Sequence, residues 1–287
     1  MSTLRQMIEE GPPVFAPLAL NPMMARMAQQ AGARALYLGG GASGYQNVFT
    51  EANLTVTEMA HAGLEIGAAC RLPLILDGAC GWGDPMHMHR TIPLSETAGF
   101  QAIEIEDQIL PKRAHHHIGI EHIIPGEEMA AKVREAVAVR RSRDFLIIAR
   151  TNATRMHGLD DALRRAELYA EAGADILFVL SRKPEELRAV AERFRMPLMF
   201  MTPGGGLHAA GLTMAELEAL GIRLVVDPTT PMLAMHRALR DSYAAIMKGA
   251  ADPLVGASPA TEDKALKESI GLETLLEVER RTVERGH

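Results

Sequence analysis

One pattern, repeated along the chain, limits what it can fold into. A helix-like stretch closes on glycine and a short apolar run follows. Ala31-Gly32 precedes Ala35-Leu36-Tyr37-Leu38, Ala98-Gly99 precedes Ala102-Ile103-Glu104-Ile105, Ala172-Gly173 precedes Asp175-Ile176-Leu177-Phe178, and Leu220-Gly221 precedes Arg223-Leu224-Val225-Val226. A glycine just past the last turn can take the left-handed conformation that ends a helix, and the apolar run after it reads as a buried strand. Three further runs, Leu74 to Leu76, Phe145 to Ile148 and Leu198 to Met201, follow polar or proline punctuation, and Val14 to Leu20 opens the series after Pro12-Pro13, making eight strands. Helical spacing fills the intervals at Asn21 to Ala31, Thr55 to Ala69, Glu127 to Arg140, Leu159 to Ala172, Pro184 to Phe194 and Thr213 to Leu220. Asn21 with Pro22 marks one helix start, and Thr213 with Glu216 has the capping-box spacing. Strand and helix in alternation imply a parallel sheet. Eight units in roughly 240 residues fit an α/β (β/α)8 TIM barrel better than the alternative, an open doubly wound sheet.

The 287 residues would otherwise allow two domains. The barrel reading assigns residues 1–250 to one catalytic domain. Ala251 to Asp263, rich in Ala, Pro, Gly and Ser, reads as a linker. Leu266, Ile270, Leu275 and Leu276 then mark an amphipathic helix, so 251–287 is a linker and a helix packing on the barrel or on a partner subunit. Composition narrows the class. A hydrophobic share of 47% with 23% charged residues is globular, and a net charge of −6 speaks against a general nucleic-acid binder. Two cysteines, Cys70 and Cys80, exclude a disulfide framework. Met1 to Pro13 lacks the apolar core of a signal peptide, and no run reaches the ~18 residues of a membrane span. A soluble, cytoplasmic protein with no membrane partner is the expectation. Most of the 17 methionines read as core filler.

In a barrel the chemistry sits at the C-terminal ends of the strands and in the loops that follow. That rule selects Asp77 on the third strand, Glu104, Glu106 and Asp107 on the fourth, and Arg150 with Asn152 on the fifth. Alternation puts Glu104 and Glu106 on one face and Asp107 on the other. Carboxylates on neighbouring strands suit a hard divalent cation, and Arg150 can grip an anion in a two-point fork. A structural ion pair to Glu106 or Asp107 is the alternative for Arg150. Gly39-Gly40-Gly41 lets backbone amides approach an anion. The loop Lys112-Arg113-Ala114-His115-His116-His117 is long and polar, as functional loops are. Cys80 has no basic neighbour in sequence and reads as a buried small hydrophobe.

These residues, in this order, resemble the isocitrate lyase/phosphoenolpyruvate mutase superfamily. The resemblance rests on Tyr37-Leu38-Gly39-Gly40-Gly41, Asp77 with Gly81-Trp82-Gly83, Ile105-Glu106-Asp107-Gln108 followed by Pro111-Lys112-Arg113, and Ala149-Arg150-Thr151-Asn152, and it covers roughly residues 14 to 245. It resembles the short members: methylisocitrate lyase, oxaloacetate decarboxylase, and the phosphonopyruvate and carboxyphosphonoenolpyruvate enzymes. The resemblance implies a Mg²⁺-dependent barrel, Mn²⁺ being the alternative ion, that acts on a small anionic 2-oxo or 2-hydroxy acid through an enolate. It implies a homo-oligomer, a dimer of dimers, with its last helix swapped between subunits. Asp77 would be the direct metal ligand and Glu106 a ligand through water, with Glu51 near the metal in place of a family Asp. Tyr37, Gly39, Gly40, Gly41, Trp82, Arg150, Asn152 and Thr202 would line or hold the substrate. Lys112, Arg113 and His116 would carry the catalytic roles of the fourth loop.

The departures are informative. The family has Asp-x-Asp before Gly-aromatic-Gly, and here the second Asp is Ala79. The acid/base Cys of the lyases is Ala114, and the Glu ending their sixth strand is Leu180. Met201-Thr202-Pro203-Gly204 is closer to the oxaloacetate decarboxylase branch, which also lacks the Cys. The first reading is therefore a carbon–carbon lyase of the oxaloacetate decarboxylase kind. A phosphonate P–C enzyme is the second. A histidine-metal hydrolase using His87, His89, His115 and His117, or an inactive binding barrel, is the third.

Overall fold

The computed structural model describes residues 2–256 and 258–284. Eight strands form one parallel sheet: β1 (Val14–Pro17), β2 (Leu36–Leu38), β3 (Leu74–Asp77), β4 (Ala102–Glu106), β5 (Leu146–Thr151), β6 (Ile176–Val179), β7 (Leu198–Met201) and β8 (Ile222–Asp227). From β2 to β8 each pairs with the next, and β8 pairs with β1. A single bridge, Leu18 to Tyr37, joins β1 to β2, so the barrel is nearly closed. The expected strands are all present, and the open doubly wound alternative falls.

The helices are α1 (Leu4–Glu10), α2 (Pro22–Gln30), α3 (Gly40–Gln46), α4 (Val56–Ala69), α5 (Met88–Thr97), α6 (Gly126–Val139), α7 (Leu159–Glu171), α8 (Pro184–Arg193), α9 (Gly206–Ala210), α10 (Met214–Ala219), α11 (Thr230–Ile246), α12 (Pro259–Ser269) and α13 (Leu272–Thr282). Gly32, Gly99, Gly173 and Gly221 end four of them at φ between 74° and 99°, a region closed to most side chains, so the repeated motif is a backbone requirement. The Asn21 and Thr213 caps form as read. Gly40 and Gly41 begin α3. Two expectations change. The stretch taken as linker ends sooner, since α12 starts at Pro259. The tail is two helices, because Gly271 takes φ 71° between α12 and α13. The chain divides into two compact units, Met1–Pro231 and Met232–His287, and the barrel is the first. No described helix is long and apolar enough to cross a membrane.

Strand parity organises the barrel interior. Val14, Ala16, Tyr37, Ile75, Ala102, Leu146, Ile148, Ile176, Phe178, Leu180, Met199, Leu224 and Val226 form one buried cluster. Successive inward positions lie two residues apart. Counting on by twos from Ile75, Ala102 and Ile148 gives Asp77, Glu104, Glu106 and Arg150 at the strands' C-terminal ends. The lower layers fill the core and the top layer carries charge.

The opposite end is plugged by α1. Leu4 and Ile8 join the interior cluster, and the Leu4 amide donates to Gln101 Oε1 at 2.8 Å, just before β4. Arg223 Nε donates to the Ile8 carbonyl at 2.9 Å, and Arg5 pairs with Asp175 at 2.6 Å. A Thr3/Gln6 capping box starts this helix. Ile8→Ala should cost about 2–5 kcal/mol, the range for emptying a core site, and lower the urea midpoint without altering ligand affinity. An unchanged midpoint would mean that the barrel closes without α1.

Candidate active site at the C-terminal face

Asp77 ends β3 and is held from two sides. The Gly40 amide donates to its Oδ2 at 2.9 Å and the Ala79 amide to its Oδ1 at 3.0 Å. A Cβ on Gly40 would lie 3.3 Å from both Asp77 Oδ2 and Glu51 Oε2, so two carboxylates close over this piece of backbone. Glu51 begins a short 3₁₀ turn, Glu51–Asn53, after α3. Glu106 ends β4, almost fully buried.

One ammonium joins them. Lys112 Nζ bonds Glu51 Oε1 and lies 2.5 Å from Glu106 Oε1. His116 Nε2 contacts Glu51 Oε1 at 3.1 Å, outside hydrogen-bonding geometry, and its Nδ1 lies 2.6 Å from the Arg113 carbonyl. Burial alone would raise both glutamates, but it is outweighed. His116 and Lys112 hold Glu51 well below the usual carboxylate range, and Lys112 and Arg150 hold Glu106 down. Asp77 is raised by burial and by the charges of Glu51 and Glu106. Lys112 is pushed far up by the three carboxylates despite its burial, so it stays charged. His116 is raised as well, its burial outweighed by Glu51.

The guanidinium of Arg150 is fixed beside this cluster. Nη1 donates to Glu104 Oε1 at 2.8 Å, and Nε and Nη2 donate to Asn152 Oδ1 at 3.1 and 2.9 Å. Glu106 Oε2 lies 3.4 Å from Nε, and the Phe178 ring lies under the group at 5.3 Å. Asn152 Nδ2 donates to Glu106 Oε2 at 2.9 Å, which closes the circuit. Tyr37, fully buried, donates to Glu104 Oε2 at 2.9 Å. Burial, reinforced by Asp77, raises the Glu104 carboxyl to about 7 against the pull of Arg150 and Tyr37. Arg150 thus makes structural ion pairs, with Glu104 and Glu106 rather than Asp107. Asp107 faces the other way, toward Thr151, Tyr169 and Arg165.

Of the residues singled out in the sequence, Asp77, Glu51, Glu106, Lys112, His116, Arg150, Asn152, Gly40 and Gly41 come together here, with Tyr37 one contact behind. Gly39 caps α3 and sits against Leu18 and Tyr37. Trp82 Nε1 is tied to the Leu54 carbonyl at 2.9 Å. Arg113 is exposed, and its carbonyl, not its guanidinium, serves the loop. Thr202 lies buried at the end of β7, its hydroxyl without a partner. Sequence reasoning passed over Glu121, which accepts from Gln108 at 2.5 Å and pairs with Arg155 at 2.8 Å. No local pattern marks it. Cys80 is buried and its thiol is pushed up, which keeps it unreactive.

The four histidines considered as a metal set scatter. His87 is paired with Asp84 and His89 with Glu135, His115 meets His122, and His117 is bracketed by Tyr45 and Thr50. Among the described residues no three His, Cys, Asp or Glu side chains converge as an ion's ligands. Between the carboxylates of Asp77, Glu51 and Glu106 it is the Lys112 ammonium that stands.

The family model described as phosphoenolpyruvate phosphomutase matches residues 4–247. This chain belongs to the isocitrate lyase/phosphoenolpyruvate mutase superfamily. It is 37% identical over 248 residues to 2-methylisocitrate lyase of Aeropyrum pernix, covering 85% of this chain and 79% of the relative. It is 34% identical over 289 residues to 2,3-dimethylmalate lyase of Eubacterium barkeri, covering 96% of each. A solved phosphonopyruvate hydrolase, complexed with oxalate and Mg²⁺, superposes with a TM-score of 0.85 at 29% identity over 98% of both chains. The chain is an enzyme of the carbon–carbon lyase type.

Removing the ammonium tests the electrostatic reading of this superfamily site. Lys112→Met leaves buried carboxylates facing one another and should cost about 3–5 kcal/mol, the range for breaking a buried ion pair from one side. The measurement is the urea midpoint at neutral pH without divalent ions. No change would mean that solvent screens the cluster.

Proposed function

We propose that the enzyme binds Mg²⁺, or Mn²⁺ in its place, at Asp77, Glu51 and Glu106, and cleaves or decarboxylates a small 2-oxo or 2-hydroxy (di)carboxylate in the manner of an oxaloacetate decarboxylase. The observation that carries this reading is the carboxylate cluster that meets a guanidinium at the barrel mouth. All its ligands are hard oxygens, as Mg²⁺ prefers, and one or two carboxylates with water suffice for that ion. Asp77 would be the direct ligand, and Glu51 and Glu106 would act through water. Lys112 already fills a cation's role, and it lies on irregular chain between β4 and α6, so it can leave without breaking a strand ladder. When bound, the ion supplies stabilisation for negative charge developing on a substrate oxygen.

The chain's own groups do the rest. Arg150, Gly40 and Gly41 hold the substrate carboxylate, and Asn152 and Glu104 keep the Arg150 fork from turning. Phe178 and Trp82 wall the site, and Tyr37 supports it from below. Loss of CO2 from a 2-oxo diacid asks for little proton transfer before the bond breaks, so the absence of the loop cysteine at Ala114 is tolerable. His116, held above its ordinary value beside Glu51, is the loop group that would supply a proton. Lys112 is held too firmly charged to act as a base and serves as a positive charge, as does Arg113 at the loop's edge. A phosphonate P–C enzyme is the second reading, favoured by the likeness to phosphonopyruvate hydrolase. Release of phosphate rather than CO2 from phosphonopyruvate and oxaloacetate separates the two.

Asp77→Ala should abolish CO2 release and weaken Mg²⁺ binding by calorimetry at least about tenfold, since loss of the ion's charge is worth several kcal/mol, while the barrel stays folded. Near-normal turnover in this variant would remove the metal from the mechanism.

We also place the tail against a second copy of the chain, as a swapped helix in a dimer of dimers. Leu266, Ile270, Leu275 and Leu276 recur at helical spacing, and within their own unit α12 and α13 bury no side chain. Deleting residues 259–287 should reduce a tetramer to smaller or aggregating species in sedimentation. A full-length chain that sediments as a monomer would overturn the assembly.

A further inference from the structure

The backbone after β3 is held in a shape it does not prefer. Ala79, Gly81 and Trp82 stand at φ 45°, 79° and 55°, all left-handed, and only one of the three is glycine. A turn strained in this way persists only where its surroundings fix it. Here three successive carbonyls are gripped, each from a different element. The Glu106 amide of β4 donates to the Ala79 carbonyl at 2.8 Å. Lys132 Nζ, on α6, donates to the Cys80 carbonyl at 3.1 Å. Thr91 Oγ1, on α5, donates to the Gly81 carbonyl at 3.0 Å.

The two side-chain ties are buried, Lys132 and Thr91 being each 2% exposed. The Cys80 carbonyl is the one hydrogen-bond partner of the Lys132 ammonium among the described residues, and no carboxylate pairs with it there. Burial holds its pKa below the usual lysine value. A methionine would fill similar space without the cost of burying a charge, so packing alone does not account for a lysine here.

What these ties hold leads to Asp77. The Ala79 amide donates to Asp77 Oδ1 at 3.0 Å, while the Gly40 amide holds Oδ2. The turn sets where the Ala79 amide points. If the turn relaxes, one of the two bonds that orient the carboxylate goes with it.

We propose that Lys132 and Thr91 are positioning residues: by gripping the Cys80 and Gly81 carbonyls they hold the strained turn whose Ala79 amide aims the Asp77 carboxylate. Both lie on helices of the outer ring and act through the turn. The inference deepens the Mg²⁺ reading, on which it rests, by naming the groups that preorganise its direct ligand. Outer groups that orient a metal's ligand commonly govern affinity tenfold or more.

The test is calorimetric titration of the full chain with MgCl2, paired with hydrogen exchange over residues 78–83 in the metal-free chain. Lys132→Met and Thr91→Val each keep most of the side chain's bulk and remove the donor. Each should weaken Mg²⁺ binding by about tenfold and speed exchange at the Ala79 amide. Thr91→Ser, which keeps the hydroxyl, should bind Mg²⁺ within about twofold of the unaltered chain. Val133→Ala truncates a fully buried core residue of the same helix, so it controls for lost stability and should leave both readings unchanged. Should Lys132→Met fail to fold, Thr91→Val carries the test. Unchanged Mg²⁺ affinity in the donor-free variants, or equal weakening by Val133→Ala, overturns the positioning role. If the unaltered chain binds no Mg²⁺, the ion site falls and exchange alone decides. An Ala79 amide no faster in the variants than in the unaltered chain then overturns the inference.

Discussion

The structure turns on an electrostatic imbalance at the barrel mouth. Asp77, Glu51, Glu104 and Glu106 stand against two firmly charged cations, Lys112 and Arg150. Water reaches little of this cluster, so the deficit is met within it. Glu104 is raised to about 7 by burial, Asp77 is raised by burial and its neighbours, and Lys112 crosses from its loop to pair with two acids. Each response fixes another element. Tyr37 and Arg150 are held by Glu104, Asn152 by Glu106, and the fourth loop by Lys112. A site that recruits a chain ammonium in this way has a standing attraction for positive charge.

Sequence made the barrel legible because each strand–helix unit repeats the same backbone demand, and four glycines meet it with positive φ. It made part of the site legible for a related reason. Inward parity on β3, β4 and β5 runs from core residues directly to Asp77, Glu106 and Arg150. Elements whose cause lies outside the local pattern stayed hidden. Helix α5 carries Pro93 in its interior and little periodicity, and α1 is only seven residues long, stabilised by what it plugs. Helix α3 went unread because glycines open it and no side chain caps it. The positions of Lys112 and His116 could not be read from spacing, since an irregular loop goes where opposite charge draws it. Glu51 came only from resemblance, because it lies off the strands altogether.

The three departures from the family pattern fall at positions of different physical kinds. Ala79 has φ 45°, a left-handed conformation that costs an alanine about 1–2 kcal/mol and that Asp tolerates better. The backbone at position 79 thus has a shape that an Asp, as the resemblance implies for the family, would take more easily. Ala114 begins the Ala114–Ile118 turn, where its exposed methyl leaves the loop's anchoring to Lys112 and His117. Leu180 belongs to the interior cluster and packs as core.

With Ala79, Ala114 and Leu180 in these three places, none of them offers a carboxylate or a thiol, while Lys112 and Arg150 keep their charge beside Glu51, Glu104 and Glu106.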